Sequence, residues 1–405
     1  MPWHPAFVVI FLTALVSAGN LSTNMYTPSL PAMATYFGTS MGSVELTLSA
    51  FMVAYAFAQL VWGPLSDRYG RRPVLLAGLV LYTAATLLCM LAPSIEWLIA
   101  GRALQAVGAC SAPIAARAIM RDIYDREKLA QIMAYVALAM GLAPSFAPVL
   151  GGFLEVWFGW QASFLAVAIF TVLTLIWACF MPETNRHRGL QTSVGAMVGS
   201  FGRLLRSREV CLYIVVGCLT FGGMQAFQAR APFVLISELG ITPDEFGLVA
   251  MAPILSYLFG SFLAGRITRR LGLDRMIPLG MGGMMIGIVV LVGSYLAWGA
   301  NVWAIQVSVS VLCVGMALMF PASMTGAISV FPTIAGAGAA LYGFMQFATA
   351  FITVSALALF AQGTGPMVVM MSVCVVLATA FSILQVIQQR RNAAAAPQTQ
   401  AAPAE

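Results

Sequence analysis

The residues able to do chemistry in this chain are few, and several of them sit close together. Among 405 residues there are only 20 Lys+Arg, 14 Asp+Glu and 2 His, yet GPLSDRYGRR (63–72) holds Asp67, Arg68, Arg71 and Arg72. Carboxylate and guanidinium at this spacing offer ion pairing, not bond-making. On a helix end Gly63 and Asp67 share one face, and Asp67 can reach Arg71 or the free amides that open a following helix. A glycine at 63 would admit a neighbouring helix, and one at 70 would permit a tight turn. Arg102, in GRALQAVGA (101–109), poses a different problem, because it falls within an apolar run. A charge there costs about 2.5–3.5 kcal/mol on insertion and needs a partner or a wet cavity. YVALAMGLAPSFAPVLGGFL (135–154) repeats Ala-Pro and closes on Gly-Gly. Pro144 and Pro148 each remove a backbone donor and kink a helix, while Gly151 and Gly152 allow close packing.

Covalent and metal chemistry find little footing. GTSMG (38–42) has the G-x-S-x-G form, but no histidine is placed on its side of the membrane, so a serine nucleophile lacks its base. His4 and His187 both fall outside the apolar runs, and the 7 Cys are scattered without a C-x-x-C. The cysteines read as small buried hydrophobes. No enzyme activity, cofactor or metal site is expected.

The elements that carry these residues are membrane helices. The chain is 60% hydrophobic and 8% charged, against about 25% charged in an ordinary globular domain. Its mean hydropathy is +0.91. Continuous apolar runs, each near the ~20 residues that cross a bilayer as a helix, recur along the sequence; the alternation of a barrel is missing. Twelve spans are expected, at 6–28, 43–63, 74–92, 97–119, 129–152, 162–181, 209–229, 246–265, 275–297, 302–323, 335–361 and 366–388. The first run lacks the basic flank of a signal peptide and is read as a retained span. With a cytoplasmic N-terminus, every Lys and Arg except Arg102, Arg117 and Arg230 falls in an inner connection or the tail. The opposite face carries Glu45, Glu96, Glu155, Glu238, Asp244 and Glu245. Such an asymmetry is the positive-inside pattern. The net charge of +6 therefore reports topology and not nucleic-acid binding.

Half of the chain echoes the other half. Gly63, Arg68 and Gly70 recur as Gly265, Arg270 and Gly272 in GRITRRLGLDR, between the second and third spans of each half. GACSAP (108–113) and GMALMFP (315–321) form a second, weaker pair. Two related six-helix bundles around a central site are a transporter plan. The expected units are 1–181 and 209–388, joined by a cytoplasmic loop at 182–208 and followed by a disordered tail at 389–405.

GPLSDRYGRRPVL resembles the loop signature of the major facilitator superfamily, G-x-L-x-D-R-x-G-R-R/K. MYTPSLPAM (25–33), LTLSAFMVAYAFAQLVWGPLSDRYGRRPVLL (46–76), AIMRDIY (118–124) and APFVLISELGITPDEFGL (231–248) resemble its bicyclomycin and chloramphenicol resistance (Bcr/CflA) branch. The resemblance covers about residues 10–385. It implies an all-α fold of twelve helices in two pseudo-symmetric bundles. It also implies export of small amphiphilic compounds in exchange for protons, by a monomer in the bacterial inner membrane with both termini cytoplasmic. Within it, Gly63, Asp67, Arg68, Gly70, Arg71 and Arg72 would form the inner gate. Pro144, Pro148, Gly151 and Gly152 match the fifth-span antiporter motif.

One departure matters. The branch reads S-x-D-M-Y-x-P in the first span, with the aspartate as proton carrier; this chain has Asn24 in its place. Asparagine can hydrogen-bond Arg102, which lies at a similar depth, but carries no proton. Glu45 is the nearest substitute by depth, and stands either as a coupling residue beside Arg102 or as a solvated outer residue. The vacancy also leaves room for a uniporter or a metabolite carrier without proton coupling. Candidates to line the cavity are Asn20, Tyr26, Tyr55, Gln59, Gln105, Gln225, Phe227, Gln228, Tyr342 and Gln346.

Overall fold

The computed structural model describes residues 5–124, 132, 136, 146–185, 194–273 and 275–395. Among them there are helices and no strands. Eleven of the described helices are long and apolar enough to cross a membrane, and Phe146–Phe158 is a shorter apolar helix that overlaps the end of the expected fifth span and runs past it. Helices dominate because a bilayer core offers no water to backbone N–H and C=O groups, which must pair within the segment.

In the first half these helices are α1 (Pro5–Asn24), α2 (Leu30–Tyr36), α3 (Met41–Tyr69), α4 (Arg71–Met90), α5 (Ile95–Ile123), α6 (Phe146–Phe158) and α7 (Gln161–Cys179). The second half holds α9 (Arg208–Pro232), α10 (Pro243–Val249), α11 (Met251–Leu271), α12 (Met276–Trp298), α13 (Val302–Ser329), α14 (Ala335–Ala358) and α15 (Thr364–Ala395). Between them lies α8 (Val194–Arg206). Part of the expected 182–208 loop is therefore helical. Leu204 of α8 is buried, Phe201 packs on the core of the second half, and the Ser207 hydroxyl accepts from the Val210 amide to open α9. The expected tail is corrected as well, because α15 runs through Ala395 and Gln389 donates to the Tyr213 hydroxyl at 2.9 Å.

Local chemistry explains the interruptions. Pro28 cannot continue α1, since it lacks the N–H that would reach the Asn24 carbonyl. That carbonyl accepts instead from the Thr27 hydroxyl at 2.8 Å, and a short turn at Thr27–Ser29 leads into α2. On the basic side, α3 carries straight through Pro64 to Tyr69, so most of GPLSDRYGRR is helix. The expected ten-residue connection reduces to Gly70, whose φ of +106° favours glycine.

Each half has its own core, and the helix pairs repeat. A Cβ on Gly78 of α4 would strike Ser111 of α5, and one on Gly108 would strike Tyr82. In the second half Gly280 of α12 meets Gly315 of α13 in the same way, and Gly315 meets Met284. Gly280 and Met284 are the 202-shifted counterparts of Gly78 and Tyr82. A third cluster joins the halves on the side away from the basic connections. There Tyr26, Leu30, Leu48, Met52 and Phe164 pack with Ala229, Phe233, Ala350 and Val354.

Candidate transport pathway

The seam between the halves is tight on that far side. A Cβ on Gly151 of α6 would collide with the Met25 carbonyl, and one on Gly152 with the Pro243 carbonyl of the other half. Gly247 of α10 abuts Pro148 in return. Close backbone approach of this kind needs small residues. Pro144 lies outside the described residues. The rings of Phe57 and Phe344 meet at 5.3 Å, and Gln59 still touches Gly343. Deeper, Gly63 of α3 and Gly336 of α14 would each carry a Cβ into open space. Gly63 is thus no helix-approach site, contrary to the expectation.

Two buried arginines organise the far-side seal. Arg102 is fully buried between the rings of Tyr26 and Phe51, at 4.2 and 4.5 Å from their centroids. A desolvated cation over an aromatic face gains about 2 kcal/mol. Its Nη1 donates to the Ser22 carbonyl at 3.0 Å and to Gln105 Oε1, while Gln105 donates to Thr86 at 2.8 Å. Asn24 sits in the same layer but does not pair with Arg102. It donates to the Asn20 carbonyl at 2.8 Å and accepts from Gln228 of α9, a bond that crosses between the halves.

Glu45 is not solvated, and its described contact is not with Arg102. It is 0% exposed and pairs across the seam with Arg230, Oε1 to Nε at 2.5 Å and Oε2 to Nη2 at 3.0 Å. Arg230, just past the expected seventh span, is 1% exposed. It also donates to the carbonyls of Leu357 and Ala361 at 2.9 and 3.2 Å. Sequence reading missed this pair. The available signal was an arginine left over in an apolar run of the second half, with one acid at matching depth in the first.

The GPLSDRYGRR cluster on the basic side forms a second network. Arg71 Nη1 pairs with Asp67 at 2.5 Å and reaches Ser66 at 3.2 Å, and its Nε donates to Asp122 at 3.1 Å. The free amides of α4 do not go to Asp67. Glu183, just beyond α7, accepts from the Arg71 and Arg72 amides at 2.9 and 3.2 Å. An acid at a helix N-terminus is favourable there. Arg72 donates to the Cys179 carbonyl at 2.6 Å, Asn185 to the Asp67 carbonyl at 3.0 Å, and Thr184 to Asp122 at 3.1 Å. Arg68 is exposed. Asp122, Glu183 and Asn185 were not singled out from sequence.

The expected cavity residues divide. Tyr26, Gln105 and Tyr342 are buried in packing, Tyr342 against the Ser323 hydroxyl at 3.2 Å. Asn20, Tyr55, Gln59, Gln225, Phe227, Gln228 and Gln346 stay partly exposed. Tyr55 packs against Phe347 of the other half, with ring centroids at 4.5 Å and the rings tilted by 32°.

Two helical bundles packed closely together on the side away from the basic connections, with polar and aromatic groups along their seam, define a membrane transporter. The family model described as Major Facilitator Superfamily matches residues 9–347 and 231–404, and the chain belongs to that superfamily. It is 28% identical over 343 residues to the multidrug resistance protein D of Escherichia coli (strain K12), covering 84% of this chain and 85% of that one. It is 28% identical to a bicyclomycin resistance protein homolog of Haemophilus influenzae, covering 87% and 89%. A chloramphenicol resistance protein of Pseudomonas aeruginosa is 29% identical, covering 83% and 80%. The fold is that of the xylose transporter XylE from E. coli in its inward open conformation, with TM-score 0.75 at 13% identity, covering 95% of this chain and 96% of that one.

Proposed function

We propose that the chain exports small amphiphilic drugs or metabolites from the bacterial cytoplasm across the inner membrane, by alternating access coupled to protons. The basic side is then the cytoplasm, with both termini on it, and the chain works as a monomer. The observation that carries this reading is the far-side seam, closed between the halves by Gly152 against Pro243, Gly247 against Pro148 and the Glu45–Arg230 pair. Relatives bearing drug-resistance names over most of their length support the cargo class.

In this cycle the far side opens only when Glu45 and Arg230 separate. A buried ion pair broken by loss of one partner costs about 3–5 kcal/mol, so the pair biases the protein toward the arrangement seen. A proton on Glu45 would remove the carboxylate charge and weaken that bias, which makes Glu45 the coupling residue in place of Asn24. Arg102 would organise the far-side roof. Asp67, Arg68, Arg71 and Arg72 with Gly70 would form the cytoplasmic gate, and Pro144, Pro148, Gly151 and Gly152 would shape the fifth span. The remaining partly exposed set from Asn20 to Gln346 would line the pathway.

The test is a resistance panel in a pump-deficient bacterial host, repeated with a proton uncoupler. Resistance that the uncoupler abolishes is the expected result. Uncoupler-insensitive movement would favour the second reading, a uniporter or metabolite carrier, for which the specific observation is Asn24 at the family's proton-carrying position.

A further inference from the structure

The basic end of α11 gathers three arginines around one recess. Arg266, Arg269 and Arg270 are exposed, and none makes an ion pair or hydrogen bond among the described residues. Together with Leu263 and Ile267 they line an open recess of about 450 Å³. The guanidinium of Arg266 lies over the ring of Phe262, 4.2 Å from its centroid, which keeps the cation against the helix.

These side chains continue a stripe on the face of α11 turned away from its own bundle. Gly260, on the opposite face, is buried, and a Cβ there would strike Ala317 and Val314 of α13. Leu255, Phe259, Phe262, Arg266 and Arg269 follow one another at steps of three and four residues, so they share one face. All five are exposed. Apolar groups thus lead up to cations along about 20 Å of helix, at about 1.5 Å per residue. The carbonyls at the end of α11 bring only about half a negative charge against three positive ones.

The matching turn of the first half answers its arginines from within the chain, through Asp67, Asp122 and Glu183. Position 269 holds Arg where position 67 holds Asp. The expected fifth span, 129–152, has no acid by sequence, and neither have α13 and α14. The basic-side acids Asp125, Glu127 and Asp274 lie outside the described residues.

We propose that the exposed stripe of α11 is the binding site of one anionic phospholipid. Arg266, Arg269 and Arg270 hold its phosphate, and its acyl chains lie along Phe262, Phe259 and Leu255. Guanidinium groups suit this task because their planar donors pair with phosphate oxygens two at a time. The lipid then supplies to the second half the negative charge that Asp67 and Glu183 supply to the first. Neither the direction nor the coupling of transport enters this argument.

Native mass spectrometry of the purified full-length protein in detergent tests it by counting bound lipid. Dioleoyl phosphatidylglycerol and dioleoyl phosphatidylcholine share their acyl chains and differ in net charge. The phosphatidylglycerol is expected to bind at least about tenfold tighter, with three cations near its headgroup. Changing Arg266, Arg269 and Arg270 together to Gln should bring the two lipids within about twofold of each other, whereas Lys at all three should keep the preference. If the triple Gln variant does not fold, Arg266→Gln alone should lower the preference about threefold. The same triple change at Arg203, Arg206 and Arg208, exposed on and beside α8, should leave it intact. Excess inorganic phosphate should not displace the lipid. Equal binding of the two lipids, as pairing with Asp125, Glu127 or Asp274 would produce, overturns the proposal. So does a preference unchanged in the Gln variants, or lost equally in the α8 variant. Displacement by inorganic phosphate would make this a site for free anions, and dimers in place of lipid-bound monomers would give the stripe to a second copy of the chain; either result also overturns it.

Discussion

The two basic-side turns share a backbone and differ in everything attached to it. Gly70 and Gly272 both take positive φ, +106° and +78°, after helices that end in matching positions of the repeat. In the first half the turn is braced: Asp67, Arg71, Asp122 and Glu183 tie α3, α4, α5 and the segment after α7 into one block. In the second half Arg269 stands where Asp67 would be, and Arg266, Arg269 and Arg270 are exposed, with no ion pair among the described residues. Positive charge is enough to hold a loop on one side of a membrane, but only mixed charge builds a joint. The one charge that the second half places inside the membrane, Arg230, is committed to Glu45 of the first. The first half thus carries most of the described charged contacts, and the second half contributes one arginine to them.

Substitutions can break this contrast, beginning where the effect is greatest. Glu45→Gln or Arg230→Gln alone leaves a buried charge unpaired and should cost about 3–5 kcal/mol. The double variant should recover most of it in thermal unfolding of the purified protein. A double variant as unstable as the singles would show that the pair is not what joins the halves there. Next comes the turn itself. Asp67→Asn and Glu183→Gln each remove a charged hydrogen-bond acceptor, worth about 1.5–3 kcal/mol, and export rates should fall about tenfold. Arg269→Gln should stay within about twofold, since only charged pairs with partners carry such energies. Equal losses at 67 and 269 would erase the asymmetry.

Glycines sharpen the comparison at smaller cost. Gly152→Ala pushes a methyl into the Pro243 carbonyl and should cost about 1–3 kcal/mol of overpacking, with slower export. Gly63→Ala, facing open space, should leave export and stability near wild type. Smallest of all is the difference between Gly70→Ala and Gly272→Ala. Both force a side chain into a positive-φ turn at about 1–2 kcal/mol, so unfolding should shift alike even though transport responds mainly to the first.

Helix number, the two-half plan and the basic side were legible because hydropathy and charge are local properties, read one span at a time. Legibility failed where a partner lay elsewhere in the chain. Glu45 and Arg230 are separated by 185 positions, and no spacing rule connects them. Glu183 looked like part of a polar loop until the end of α7 brought it over the open amides of α4. Depth counting set Asn24 and Arg102 in one layer but not in contact, because rotation about the helix axis, which depth ignores, turns Asn24 to Gln228 and Arg102 to Tyr26 and Phe51. Even within GPLSDRYGRR, the residue types determined that charge would gather at one membrane face. Only the packed bundle decided which charge answers which. Burial raises the cost of an unpaired ion enough to select one partner, and that partner is found in three dimensions.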